Sequence, residues 1–164
     1  MDNRKSKTDY YLELADAVLQ RSTCIRRKYG AIIVNNDEIV STGYNGAPRG
    51  RKNCSDYGYC TRQKLNIPSG ERYELCRSVH AEANAVISAA RRDMIDGTMY
   101  LVGRDCETGE LLSDTTSCSM CRRLIINSGI KQIIARTGAD SYSLTGVRDW
   151  VFSDDSLDSG FPDA

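Results

Sequence analysis

Three stretches in the second half of the chain decide its architecture: TMYLV (98–102), CSMCRRLIIN (118–127) and IKQIIA (130–135). The first and last are short apolar runs of strand length. Between them, Ser117 is the expected N-cap of a helix from Cys118 to about Asn127, and Gly129 ends it. Upstream, Val79 to Arg92 reads as an alanine-rich helix with Ser78 as its N-cap. Strands alternating with helices predict parallel pairing through right-handed crossovers. Earlier still, Tyr29–Val34 and Glu38–Tyr44 flank Asn35-Asn36-Asp37, a turn signal, and read as a hairpin. From about Thr8 to Gln20, Tyr11, Leu14, Ala15 and Val18 recur at helical spacing. A first helix, a hairpin and the alternating second half predict a three-layer α/β/α domain.

The 164 residues suit one domain, expected over 1–152 with a long cysteine-bearing loop at 46–77 and a flexible acidic tail at 153–164. Lys+Arg 22 balances Asp+Glu 22, so no global field steers the chain to nucleic acid or an anionic membrane. No basic stripe with interleaved aromatics is evident, and no nucleic-acid partner is expected. Mean hydropathy is -0.46 and no apolar run approaches a membrane span. The polar start, Met1 to Tyr10, does not read as a signal peptide. A cytoplasmic location is therefore expected.

Cysteine is the unusual count, at 7 against a single histidine. An odd number without a leader argues for thiols in a reducing compartment, where short spacings more often bind metal. His80-Ala81-Glu82 opens one helix and Cys118-Ser119-Met120-Cys121 opens the next, each after a break and so near one edge of the sheet. One imidazole and two thiolates give zinc three ligands and leave a fourth position for water. The helix N-termini favour the thiolates. Glu82, two residues after His80, can reach past the metal to that water as a base. Taken singly, the H-x-E reads equally as a capped surface turn, and the C-x-x-C as a redox pair or half of a structural zinc site.

Taken together, these motifs resemble zinc-dependent nucleobase deaminases, whose pattern is H-x-E followed by P-C-x-x-C. The nucleotide branch is marked by Thr42-Gly43-Tyr44-Asn45-Gly46-Ala47-Pro48 and by Cys24-Ile25-Arg26-Arg27-Lys28-Tyr29-Gly30-Ala31. With Ile125-Ile126-Asn127-Ser128-Gly129-Ile130, these blocks span about residues 10 to 135 in the order of the deoxycytidylate (dCMP) deaminase family. The resemblance implies a mixed five-stranded sheet between helices. It implies a catalytic zinc on His80, Cys118 and Cys121, with Glu82 moving protons while water attacks C4 of cytosine. Asn45 would contact sugar or phosphate, Arg26 would hold the 5′-phosphate, and the backbones of Ala81 and Ser117 would line the base pocket. Homo-oligomers, perhaps hexamers, and dCTP or dTTP as effectors follow from the same resemblance.

Some family members carry a structural zinc near the long loop, and Cys24, Cys54, Cys60 and Cys76 would form a Cys₄ site there. A loop without a core of its own needs such a staple. The alternatives are buried small thiols, or Cys76 sharing a metal with His80 one helical turn on. Arg26 reads equally as part of a solvated charged face, Asn45 as a turn residue, and Tyr100 as core. Cys106 is left as a spare thiol. Two departures stand out: Ser117 replaces the family's proline, and Arg104 to Thr116 is longer than usual. The expected activity is deamination of dCMP to dUMP. The alternatives are another cytosine nucleotide or nucleoside as substrate, or a non-catalytic zinc-stabilised nucleotide-binding module.

Overall fold

The computed structural model describes residues 3–153, so the expected tail lies, but for Ser153, outside the described residues. Helix α1 (Lys7–Leu19) begins where the Ser6 hydroxyl accepts the Asp9 N–H at 3.0 Å, an N-cap that satisfies one orphan donor. Its buried stripe is Tyr11, Leu12, Ala15 and Leu19, so the helix stands as predicted but Leu14 and Val18 of the expected stripe are only partly buried at its edge. Strands β1 (Arg27–Asn35) and β2 (Glu38–Tyr44) form the predicted antiparallel hairpin. Asn36 and Asp37 both take positive φ in its turn, a conformation those side chains tolerate.

The loop after β2 holds three short helical pieces: α2 (Cys54–Tyr57), α3 (Thr61–Lys64) and a 3₁₀ turn (Tyr73–Leu75). Helix α4 (Ala81–Ile87) follows, then α5 (Arg91–Met94), β3 (Thr98–Asp105), α6 (Ser119–Ser128), β4 (Gln132–Gly138), β5 (Ser141–Gly146) and α7 (Val147–Phe152). Strand order is β2-β1-β3-β4-β5. β3 and β4 pair in parallel through α6, whereas every other pairing is antiparallel. β2 and β3 run in the same direction with β1 inserted between them, so the expected parallel succession is realised as a mixed sheet.

Side-chain alternation sorts the sheet into two cores. Ile32 and Val34 of β1, Tyr100 and Val102 of β3 and Ile134 of β4 pack with α1. Ala31, Ile33, Met99, Leu101, Ile133 and Ala135 face the other way, against α4 and α6. The result is the three-layer α/β/α arrangement, with Tyr100 in the core as expected. Among the described residues, no helix is long and apolar enough to cross a membrane.

Several boundaries differ from the sequence reading. Val79 is held in an isolated bridge with Gly46, its N–H donating to Gly46 O at 2.7 Å. It is therefore extended, and His80 rather than Ser78 becomes the N-cap of α4. The helix expected to Arg92 stops at Ser88 and restarts as α5, whose end is caught by Asn35 Nδ2 donating to Asp93 O and Ile95 O. Cys118 takes the N-cap position of α6 in place of Ser117, and Gly129 ends that helix as expected. After β4, which the sequence leaves as the last strand with named bounds, the chain continues as β5 and α7.

Two glycines set how closely the helices lie on the sheet. A Cβ on Gly30 would stand 2.1 Å from Ala15 O of α1, and one on Gly43 would stand 2.3 Å from Ala81 O and 2.4 Å from Ala85 N of α4. Ser41 Oγ donates to Ala85 O at 2.7 Å, and Asn84 Nδ2 donates to Tyr44 O at 2.8 Å, fixing α4 along β2. Gly43→Ala must push α4 off the sheet. The expected cost is about 1–3 kcal/mol of overpacking. Calorimetry should show the transition falling by roughly 2–4 °C per kcal/mol for a domain of this size.

Candidate active site

Helices α4 and α6 open side by side over the carboxyl ends of β2 and β3. His80 is the N-cap of one, Cys118 the N-cap of the other, and Cys121 lies in the first turn of α6. His80 Nδ1 is 3.4 Å from Cys118 Sγ and 3.5 Å from Cys121 Sγ, and all three ligand atoms lie within 4.8 Å of one another. Zinc bound tetrahedrally at 2.3 Å to sulfur and 2.0–2.1 Å to nitrogen sets an N···S edge of about 3.6 Å. The three donors therefore stand close to the spacing that one zinc ion requires.

Electrostatics fit the same use. Taken with protein groups alone, hydrogen bonding from Cys121 and then from His80 pulls the Cys118 thiol down to about 4. The imidazole is pushed up to about 10, chiefly by its bond to Cys118 and then by Cys76. Cys121 is pushed up by the neighbouring Cys118 sulfur and by burial. A group holding one thiolate and one proton-sharing thiol is prepared to give up protons to a cation. Glu82 follows in the first turn of α4 and is 5% exposed, with its carboxyl held above the ordinary range by burial.

A cavity opens from these residues toward the start of β1. Tyr29, His80, Glu82, Thr116 and Cys118 form its inner wall. Ala81 and Ser117, expected in that wall, are buried behind it: Ala81 joins the core under α4, and Ser117 is 2% exposed. The Ser117 hydroxyl meets no partner, and its carbonyl accepts from Arg122 Nε at 3.0 Å. Arg26 and Arg27 lie at the outer wall, with Arg27 3.7 Å from Asp114. Asn45 also lines the cavity, but most of its amide is already engaged. Its Oδ1 accepts from Ser22 Oγ at 2.6 Å and from Tyr29 N at 2.8 Å, and its Nδ2 donates to Arg27 O at 2.8 Å. Asn45 thus locks the end of β2 to the start of β1 and keeps one N–H for anything in the cavity.

The remaining cysteines gather on the same side. Cys24, Cys60 and Cys76 line the cavity. Cys54 is buried nearby, its thiol pushed up by burial and then by the sulfurs of Cys24, Cys76 and Cys60. Among the described residues, no second set of three ligand atoms is as close as the His80 group. Cys106 is not isolated: its Sγ donates to Cys24 O at 3.3 Å.

Among the lining residues that sequence reading did not single out are Arg62, Ser69 and Tyr73, because the 46–77 segment has no period that predicts direction. The Tyr73 ring packs edge-on against His80 at 5.2 Å between centroids, bracing the imidazole. The same segment does bring aromatics and cations together at its surface. Lys52 and Arg77 cover Tyr57, and Lys64 covers Tyr59, so these ring faces are already occupied.

A three-layer α/β/α domain with an imidazole, two cysteine sulfurs and a buried carboxyl at paired helix starts defines a zinc-binding class of protein. Residues 5–137 match the family model described as the cytidine and deoxycytidylate deaminase zinc-binding region, and the chain belongs to that family. It is 35% identical over 137 residues to the deoxycytidylate deaminase of Mycobacterium phage D29, covering 80% of this chain and 95% of that one. It is 32% identical over 142 residues to the deoxycytidylate deaminase of Schizosaccharomyces pombe, covering 87% of this chain but 40% of that longer protein. The fold is shared with the dCMP deaminase of cyanophage S-TIM5, at a TM-score of 0.55 and 24% identity over 84% of this chain and 88% of that one.

Asn45→Ala removes the two side-chain bonds that join the end of β2 to β1 and a third from Ser22, and leaves the Tyr29 N–H unmet. Unfolding in urea should show a loss of about 2–4 kcal/mol, from buried hydrogen bonds and the stranded donor.

Proposed function

We propose that the chain is a zinc-dependent deoxycytidylate deaminase, converting dCMP and water to dUMP and ammonia. The observation that carries this reading is Glu82: a buried carboxyl, two residues after His80, in the same cavity as the His80, Cys118 and Cys121 donors. The names of the relatives at 32–35% identity support the substrate.

His80, Cys118 and Cys121 would hold the ion. Zinc there supplies Lewis acidity, which lets a water lose its proton near neutral pH. Glu82 takes that proton as the oxygen adds to C4 of the cytosine. Burial raises its affinity for the proton, which suits a group that must both accept and return it. Glu82 delivers that proton to N3, then takes the proton of the new C4 hydroxyl and passes it to the amine, which leaves as ammonia while the C4 carbonyl forms. Tyr73 holds the imidazole ring in place, and Asn45 keeps the cavity edge rigid with one N–H left for the sugar or phosphate. Arg26 faces the outer cavity as a donor for the 5′-phosphate.

A second zinc on Cys24, Cys54, Cys60 and Cys76 is part of the proposal. The support is that Cys24, Cys60 and Cys76 line one cavity and that their sulfurs lie near enough to the buried Cys54 to raise its thiol. The seven cysteines all stand as free thiols, as ligands in a reducing cytoplasm require. Assembly into oligomers and control by dCTP and dTTP are carried over from the family as part of the same reading.

Two measurements check these assignments. Glu82→Gln should lower ammonia release from dCMP by about 10²- to 10⁴-fold, the span of a general acid–base group. Its zinc content should stay unchanged; undiminished turnover removes Glu82 from the reaction. Metal analysis of the purified chain should return about two zinc ions, falling to about one in Cys54→Ser. A value near one in the unmodified chain removes the structural zinc.

A further inference from the structure

Arg62 is the buried cation that the catalytic reading leaves unused. It belongs to α3, on the cysteine-bearing segment, and is 5% exposed, yet its side chain lines the same cavity as Glu82 and His80. Arginine is almost never buried to this degree without acceptors for its charge. Only Nη2 finds them here, donating to Pro68 O at 2.8 Å and to Glu71 O at 2.6 Å. Nε is buried with no partner. No carboxylate pairs with the guanidinium among the described residues.

The placement of this group is built rather than incidental. The guanidinium carbon lies 4.4 Å from the centroid of Tyr73, and the Tyr73 ring in turn abuts His80. Stacking on one face and carbonyls at Nη2 fix the plane, so the unspent donors keep one direction. The metal-ligand end and the guanidinium end of the cavity are thus separated by a single aromatic ring. The same cavity is also lined by Arg26 and Arg27, and Arg27 is partly neutralised by Asp114. The outer cavity therefore concentrates positive charge that a neutral nucleoside cannot use.

We propose that Arg62 reads the 5′-phosphate of the substrate, making it the residue that selects a nucleoside monophosphate over the nucleoside. This rests on the deaminase reading above and adds a role for the segment between the cysteines: it carries a substrate-binding cation into the cavity. The oxygens of a phosphate monoester accept from the donors that protein carbonyls leave free, and they neutralise a charge that is otherwise unpaired.

The test compares dCMP with deoxycytidine in the zinc-loaded full chain, together with binding of deoxyribose 5-phosphate by calorimetry. Arg62→Gln and the gentler Arg62→Lys are measured beside the unmodified chain. Loss of charged hydrogen bonds should lower the ratio of kcat/KM for dCMP over deoxycytidine by about 10- to 100-fold in Arg62→Gln. The loss should sit in KM for dCMP, and deoxyribose 5-phosphate binding should weaken by a similar factor. An equal loss on both substrates, or an unchanged ratio, makes Arg62 a structural residue and overturns the proposal. If Arg62→Gln does not fold, Arg62→Lys reads the same ratio. Failure of deoxyribose 5-phosphate to bind the unmodified chain also overturns it. Should neither substrate release ammonia, the deaminase reading fails by itself. The calorimetric comparison still decides whether Arg62 holds a phosphate.

Discussion

The contact between α4 and β2 at Gly43 is the constraint on which the site depends. No side chain fits between that strand and the backbone of Ala81 and Ala85. The helix is therefore brought down until its first residue lies over the sheet, and His80 and Glu82 are fixed within one turn of that contact. Helix α6 meets α4 through the shared core of Ala81, Ala85, Cys121 and Ile125. Two sulfurs and one imidazole nitrogen then come to within about a tenth or two of an ångström of the edge that zinc geometry sets. Packing at one glycine and one small-residue helix face does the work that the ligands themselves cannot do.

Much of this was legible in the chain. The alternation of Ala31, Ile32, Ile33 and Val34 gives a strand buried on both faces, and Met99 to Val102 repeats the pattern. The spacing of His80, Glu82, Cys118 and Cys121 names their chemistry, because metal ligands and a nearby base are local arrangements at helix starts. Caps were read less well. Ser78 and Ser117 have the right chemistry for an N-cap, but tertiary pairing decided the boundary. Val79 is drawn into a bridge with Gly46, and Ser117 is buried with its hydroxyl unmet. Propensity describes a chain on its own; these ends are set by what lies across from them.

The cysteine-bearing segment was the least legible. It has no apolar period, so nothing in the sequence says which side chains turn inward. Arg62 reads as one more surface cation among Arg49, Arg51, Lys52 and Lys64. Its burial follows from the Pro68 and Glu71 carbonyls and the Tyr73 ring, all of them within the segment but ordered only once it is folded. Asn45 shows the opposite case. Its motif points to ligand contact, while the structure also gives it a load in joining two strands.

The Gly46–Val79 bridge has a bearing on how such a chain can change over time. It brings the two ends of a 32-residue excursion side by side, at the step where β2 stops and α4 starts. A loop whose ends are already joined can grow or shrink at a small entropic cost, rising only with the logarithm of its length. Apart from the residues that brace the site, such as Tyr73, the stretch between those two residues can therefore vary in length and content. Descendants of this fold can revise what the cavity mouth recognises while the metal-binding floor beneath it stays where it is.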